Sequence, residues 1–176
     1  MSHPIRKPLR LRQHDYRHGA YFVTSCLWIR EPRFGEIVEH GLLRPTDAGE
    51  MISHLWRAMP NRFPGLVLDD FIVMPDHMHA IAVLTDSAET GVSLGDVMQQ
   101  FKSLSSRLYG EGVREGIYAP FERRLWQPRF HDHIIRDGED LDRHRRYIHE
   151  NPLRWWLHQQ AERASAHERD GEDNTR

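Results

Sequence analysis

Two apolar stretches, Leu66–Met74 and His77–Leu84, are separated only by Pro75-Asp76, and this arrangement constrains the fold more than any other feature of the chain. Proline presets the backbone for the first central position of a type I turn and aspartate suits the turn as well, so the stretches should pair as an antiparallel hairpin. The second stretch opens His77-Met78-His79 and from Ile81 onward is apolar on both faces. Such a strand fits the centre of a sheet with helices covering it. Alternate side chains of a strand share a face, so His77 and His79 stand on one side, about 7 Å apart along the chain. They lie at the open end of an otherwise buried strand.

The other elements are read in order. Tyr21–Trp28 is aromatic and β-branched and predicts a strand, and a short strand is expected at Glu36–Glu39. Thr46 should cap a helix to Met59, with Met51, Ile52, Leu55, Trp56 and Met59 as its buried stripe. Ser93 and Asp96 form a capping-box pattern before a helix carrying Leu94, Val97, Phe101, Leu104 and Leu108. That helix is expected to end at Gly110, with a mobile glycine-rich loop to Pro120. Arg124–Arg136 reads as a strand broken by Pro128. A helix from Gly138 should stop near Asn151, since the residue before a proline avoids helical geometry, and Pro152 should open a last helix. The polar stretch after Gln160 is expected to be disordered. The organisation is thus one domain over residues 1–160 with a basic N-terminal arm, and a polar tail over 161–176.

Net charge is −2, which taken alone argues against a nucleic-acid partner. The distribution says more. Setting aside the five acids and three arginines of residues 161–176 leaves 21 charges of each sign in the rest of the chain. Only Lys7 and Lys102 are lysines, so 22 of the 24 basic residues are arginine, the type suited to two-point phosphate contacts and base stacking. Arg6, Lys7, Arg10, Arg12 and Arg17 make the N-terminal arm positive, although a solvated terminus has the same look. A single cysteine, Cys26, excludes an intrachain disulfide framework and suits a reducing cytoplasm. No apolar run approaches the ~18 residues of a membrane helix.

Chemistry gathers in two places. Two imidazoles plus one oxygen ligand would suit magnesium or manganese, with Asp76 and Asn151 as candidate third ligands to His77 and His79. Asparagine before proline is equally an excellent helix N-cap, a role that would occupy its side chain. Tyr147 lies four residues before Asn151 and so shares its helical face. A phenol, with a pKa of about 10, yields its anion far more readily than a serine hydroxyl does, and its phosphate ester conserves the energy of the bond it replaces. His131 and His133 form a second His-x-His pattern, for which structural, DNA-contacting and metal-ligating roles all remain open. Lys102, Ser103, Ser106 and Arg107 could hold phosphates or simply be solvated. Trp126, Trp155 and Trp156 could stack on unpaired bases, at ~1–3 kcal/mol each, or pack in the interior.

Met74-Pro75-Asp76-His77-Met78-His79 resembles the histidine-hydrophobic-histidine motif of single-tyrosine transposases. Leu125-Trp126-Gln127, Phe130–Arg136 and Tyr147–Pro152 resemble further blocks of the REP-associated branch, and Tyr21–Thr24 and Phe101–Ser103 also fit. The resemblance runs from roughly residue 10 to residue 158. It implies an α+β, ferredoxin-like or RRM-like fold, an antiparallel sheet with helices packed against it. It further implies a divalent ion on His77 and His79, Asn151 as third ligand and Tyr147 as the attacking group; Arg136 stands with Arg10, Arg12, Lys102, Arg107 and Trp126 as a candidate DNA contact. The implied reaction is cleavage and rejoining of single-stranded DNA near a REP-type hairpin through a 5′-phosphotyrosine, by a protein working as a monomer or a dimer. One departure is visible: the family usually carries asparagine where this chain has Asp76.

Two other readings stay open. A hairpin-binding protein could keep this fold without cleaving, and a metal-dependent phosphohydrolase using water would leave Tyr147 without a task.

Overall fold

The computed structural model describes residues 16–85 and 91–173, with side chains placed as far as residue 165. The N-terminal arm, with Arg10 and Arg12, lies outside the described residues. The architecture is α+β: a four-stranded antiparallel sheet with helices packed against it. Strands β1 (Gly19–Cys26), β4 (Leu66–Met74), β5 (His77–Leu84) and β6 (His131–Ile135) form the sheet in the order β4-β5-β1-β6. A separate hairpin, β2 (Gly35–Val38) with β3 (Leu42–Pro45), turns through His40 and Gly41, both at positive φ. Only β2 is anticipated from sequence.

The predicted hairpin forms with its predicted bounds. Met74 pairs with His77 across the Pro75-Asp76 turn, and β5 is central, flanked by β4 and β1. One sheet face carries Tyr21 and Val23 of β1 with Met78, Ala80 and Ala82 of β5. Against it pack α1 (Asp47–Ala58), through Ile52 and Trp56, and α2 (Leu94–Arg114), through Val97, Phe101 and Tyr109. Burying a large apolar side chain of this kind contributes roughly 1.5–3 kcal/mol. The expected caps are present: the Thr46 hydroxyl accepts from the Gly49 amide, and Ser93 and Asp96 form the reciprocal box.

Three expectations need correction. Helix α2 does not end at Gly110 but continues to Arg114, so most of the expected mobile loop's first half is helical. Gly112 is enclosed by the Tyr118 ring, which a Cβ there would approach to 2.4 Å, so tertiary packing outweighs the helix cost of glycine, about 1 kcal/mol. Of Arg124–Arg136 only His131–Ile135 is strand, and the earlier part meets β1's continuation through a lone bridge, Leu27 to Trp126. Helix α3 runs unbroken from Gly138 to Asp173, through Pro152 and through the stretch expected to be disordered. Ile148, Asn151 and Pro152 are all buried, and that packing offsets the proline's penalty of about 3 kcal/mol. Beyond it, a long run without glycine or proline lets an existing helix propagate despite its polarity.

Helix α3 covers the opposite face of the sheet, where Phe22, Thr24, His77, His79 and Ile81 project. Among the described residues no helix is long and apolar enough to cross a membrane.

Candidate active site

Register sets the two histidines. His79 faces Thr24 of β1 on one side and Ile72 of β4 on the other, and His77 faces Cys26 and Met74. Both rings are buried beneath α3, at 6% and 5% exposure, and their Nε2 atoms meet at 3.0 Å. Each ring is tethered by its other nitrogen: His77 Nδ1 to Asp76 Oδ1 at 2.6 Å, His79 Nδ1 to Thr24 Oγ1 at 2.8 Å.

These tethers decide where the protons sit. The Asp76 carboxylate can only accept, so His77 Nδ1 carries a proton, and the neutral form of that ring presents a bare Nε2. At 3.0 Å a second bare nitrogen would be repelled, so His79 Nε2 donates and its Nδ1 accepts from the Thr24 hydroxyl. A hydroxyl both donates and accepts. If Thr24 rotates to accept, His79 exposes a second Nε2 lone pair toward the first.

Asp76 stands behind His77. Arg30 grips its carboxylate through Nε and through Nη2, the latter at 3.2 Å. Burial pushes the Asp76 carboxyl up, but hydrogen bonds from His77 and Arg30 outweigh it and hold the group below the usual carboxylate range. Arg30 therefore offsets the charge that this chain carries in place of the amide expected from the resemblance. With both oxygens engaged by Arg30 and His77, Asp76 orients the ring and is not arranged as a third ligand. Burial first, and then the neighbouring His77 ring and Arg30 guanidinium, push the His79 pKa down to about 3, so the ring is neutral near pH 7.

The expected meeting with Tyr147 is present in the geometry. Its ring stands edge-on to His79 with centroids 5.1 Å apart, and edge-on to Phe22 at 5.8 Å. Phe22 also stacks on His79, so β1 and β5 together support the phenol. The Arg154 guanidinium lies 5.7 Å over the Tyr147 ring and is held by Glu150 at 2.7 Å. Asn151 is buried at 7% exposure, one helical turn on. Because α3 continues through it, Asn151 is not an N-cap, and that competing use of its amide falls away.

The other candidates separate. Trp126 is enclosed, with its Nε1 donating to Ser105 Oγ at 2.8 Å and its ring against Phe34 and Phe101. A ring enclosed in this way has no face for a base, so its stacking role is corrected to packing. Trp155 and Trp156 are half-buried, near His77 and His40 respectively. Lys102 donates to the carbonyls of Gln127 and Arg129, tying the 124–130 segment to α2. Arg107 pairs with Glu111 on α2, on the sheet face away from Tyr147. Arg136 is exposed where β6 leads into α3. His131 is exposed and opposite Thr24. His133, Asp140 and His144 bring ligand atoms within 4.8 Å of one another. There His133 Nε2 bonds Asp140, Arg143 bonds the same carboxylate, and His144 Nδ1 bonds the Asp140 carbonyl, so the cluster latches β6 to α3.

Sequence reasoning missed Thr24, Arg30 and Arg154. Thr24 was within reach, since alternation in β1 places it with Phe22 on one face; Arg30 and Arg154 carry no local signal.

A strand-borne histidine pair lies beneath a helix-borne tyrosine on an antiparallel sheet, the arrangement that the resemblance to single-tyrosine transposases implies. Residues 51–151 match the family described as Transposase IS200 like, and the chain belongs to that family. An uncharacterized protein of Haemophilus influenzae is 27% identical over 170 residues, spanning 85% of this chain and 89% of its own. A REP-associated tyrosine transposase of Escherichia coli K12 is 30% identical over 93 residues, 52% of this chain and 48% of its own. Among solved structures, a REP-associated tyrosine transposase bound to a REP hairpin superposes with a TM-score of 0.59 at 23% identity, over 82% of this chain and 73% of its own, and shares the fold.

Proposed function

We propose that this transposase is a metal-dependent strand transferase acting on single-stranded DNA at REP-type hairpins through a 5′-phosphotyrosine on Tyr147. The observation that carries the reading is the Tyr147 ring 5.1 Å from that of His79, which itself meets His77 nitrogen to nitrogen at 3.0 Å.

The donor set fits a divalent cation, because both imidazoles have Nε2 directed to one point and Nδ1 tied to an oxygen, the arrangement that orients metal-binding histidines. Magnesium or manganese would be held by His77, His79 and the Asn151 amide, and when bound supplies the charge that polarises the scissile phosphate and stabilises the leaving oxygen. Tyr147 Oη bonds phosphorus as the bond from phosphorus to the 3′ oxygen breaks. The phenolic proton passes to solvent and the departing 3′ oxygen takes one up, leaving a 5′-phosphotyrosine and a free 3′-hydroxyl. One phosphate diester has replaced another, so attack by a 3′-hydroxyl reseals the strand without external energy. Phe22 and Arg154 orient the phenol, and the guanidinium also favours phosphate approach. Arg136 and the arginines of the N-terminal arm, Arg10 and Arg12, are the proposed DNA contacts, within one domain that serves its own tyrosine.

The test is incubation of the protein and Tyr147→Phe with labelled hairpin-bearing single strands and manganese. A covalent adduct absent from the variant is expected. A band shift without cleavage would instead support a binding protein, and free products without adduct a hydrolase.

A further inference from the structure

The edge strand β4 carries an irregularity that reaches the tyrosine. Leu68 pairs with Ala82 and Phe71 with Ala80, so Asp69 and Asp70 together stand opposite the single residue Ile81, a β-bulge. The apolar side chains change parity across it: Leu66 and Leu68 before, Phe71 and Val73 after, all join the core under α1 and α2. The extra residue lets both carboxylates serve the other face, where α3 lies. Asp69 holds the Arg145 guanidinium in a two-point bond, at 2.9 and 2.6 Å, and Asp70 accepts from His149 at 2.8 Å.

Arg145 and His149 form one row along α3, four residues apart, and Tyr147 falls on roughly the opposite side of the helix, toward β1. Apolar packing of Ile148 seats the helix on the sheet but is non-directional. A two-point arginine–carboxylate bond has a defined geometry. A roll of α3 by about 20° would carry an atom at the helix periphery, about 5–6 Å from the axis, through about 2 Å. Misplacement by 1 Å can cost about a hundredfold in rate.

We infer that Asp69, with Asp70 beside it, is a positioning residue: by gripping Arg145 it fixes the roll of α3 and aims Tyr147 across the sheet at the histidine pair of the same chain. The inference rests on the proposed tyrosine chemistry for its kinetic consequence but not for its structural one. Asp69 carries the greater share, because the Asp70–His149 pair is more exposed and single-point.

The experiment measures single-turnover adduct formation at saturating hairpin DNA with manganese, for Asp69→Asn, Asp69→Arg, Arg145→Asp and the charge-swapped pair. Each single variant should form adduct about 10–100-fold more slowly, with hairpin Kd changed less than about threefold, and the swap should recover most of the rate. A wild-type rate in Asp69→Asn, or a joint loss of rate and affinity that the swap leaves unrestored, would overturn the inference. Hydrogen exchange provides an arm that needs no reaction: Asp69→Asn should exchange faster across residues 143–151 of α3 while α2 is unchanged. If the wild type forms no adduct, the transferase reading fails, while unchanged exchange in α3 is the result that sinks the clamp.

Discussion

The hydroxyl of Thr24 lies 2.8 Å from Nδ1 of His79, on the neighbouring strand and in direct register with it. That contact governs which nitrogen of His79 is bare. Thr24→Val keeps the shape and removes the hydroxyl, so His79 loses the partner that would hold its Nδ1 proton. Manganese affinity measured by calorimetry should fall about 10–100-fold, with hairpin binding in the absence of metal unchanged. Unchanged manganese affinity would mean that Thr24 plays no part in presenting the ring.

Acid should weaken the fold through His79. Its folded pKa, pushed down to about 3 chiefly by burial, lies below the ordinary 6.5, so between these values the unfolded chain binds a proton that the native ring refuses. The contribution is fully present above pH 6.5 and is lost as pH falls toward about 3. The slope from this one group is at most about 1.4 kcal/mol per pH unit. Urea unfolding in metal-free buffer should show stability falling through this window, and His79→Gln should flatten the fall. An equal slope in the variant would assign the acid sensitivity elsewhere.

Much of this was legible beforehand, and for identifiable reasons. The β4–β5 hairpin and the caps at Thr46 and Ser93 depend on neighbours in sequence, so their local chemistry states them outright. Helix α3 departs from the local signal because Pro152 and the polar run after it argue for a break, whereas burial of Ile148 and Asn151 is decided by the sheet. The meeting of Tyr147 with His79 came from resemblance, since nothing local joins residues so far apart. The adjacent acids Asp69-Asp70 within an apolar strand, with the parity change around them, were a readable sign of a bulge, but not of what it grips.

Gly49 offers a case where local propensity and packing give opposite signs. Alanine in a helix interior is favoured over glycine by about 1 kcal/mol. A Cβ at Gly49 would lie 1.9 Å from the Phe34 carbonyl oxygen, which no small adjustment relieves. Gly49→Ala should therefore destabilise by about 1–3 kcal/mol in urea unfolding. A gain in stability would contradict the close approach of the β2 entry to α1.

Trp126→Phe tests whether that ring packs or reads DNA. Losing the bond to Ser105 and part of the ring should lower stability by about 1–3 kcal/mol while hairpin affinity holds within about twofold. Weaker hairpin binding with intact stability would restore the stacking role.

The most direct measurement is mass spectrometry of the tryptic digest after reaction with a hairpin-bearing strand and manganese. Cleavage after Arg146 and Arg154 isolates the peptide Tyr147–Arg154, the only tyrosine within it being Tyr147. A 5′-linked nucleotide mass on that peptide, absent from His77→Ala and His79→Ala, is the predicted result. A nucleotide mass on any other peptide, or cleaved DNA with this peptide unmodified, would contradict the assignment of Tyr147 as the nucleophile.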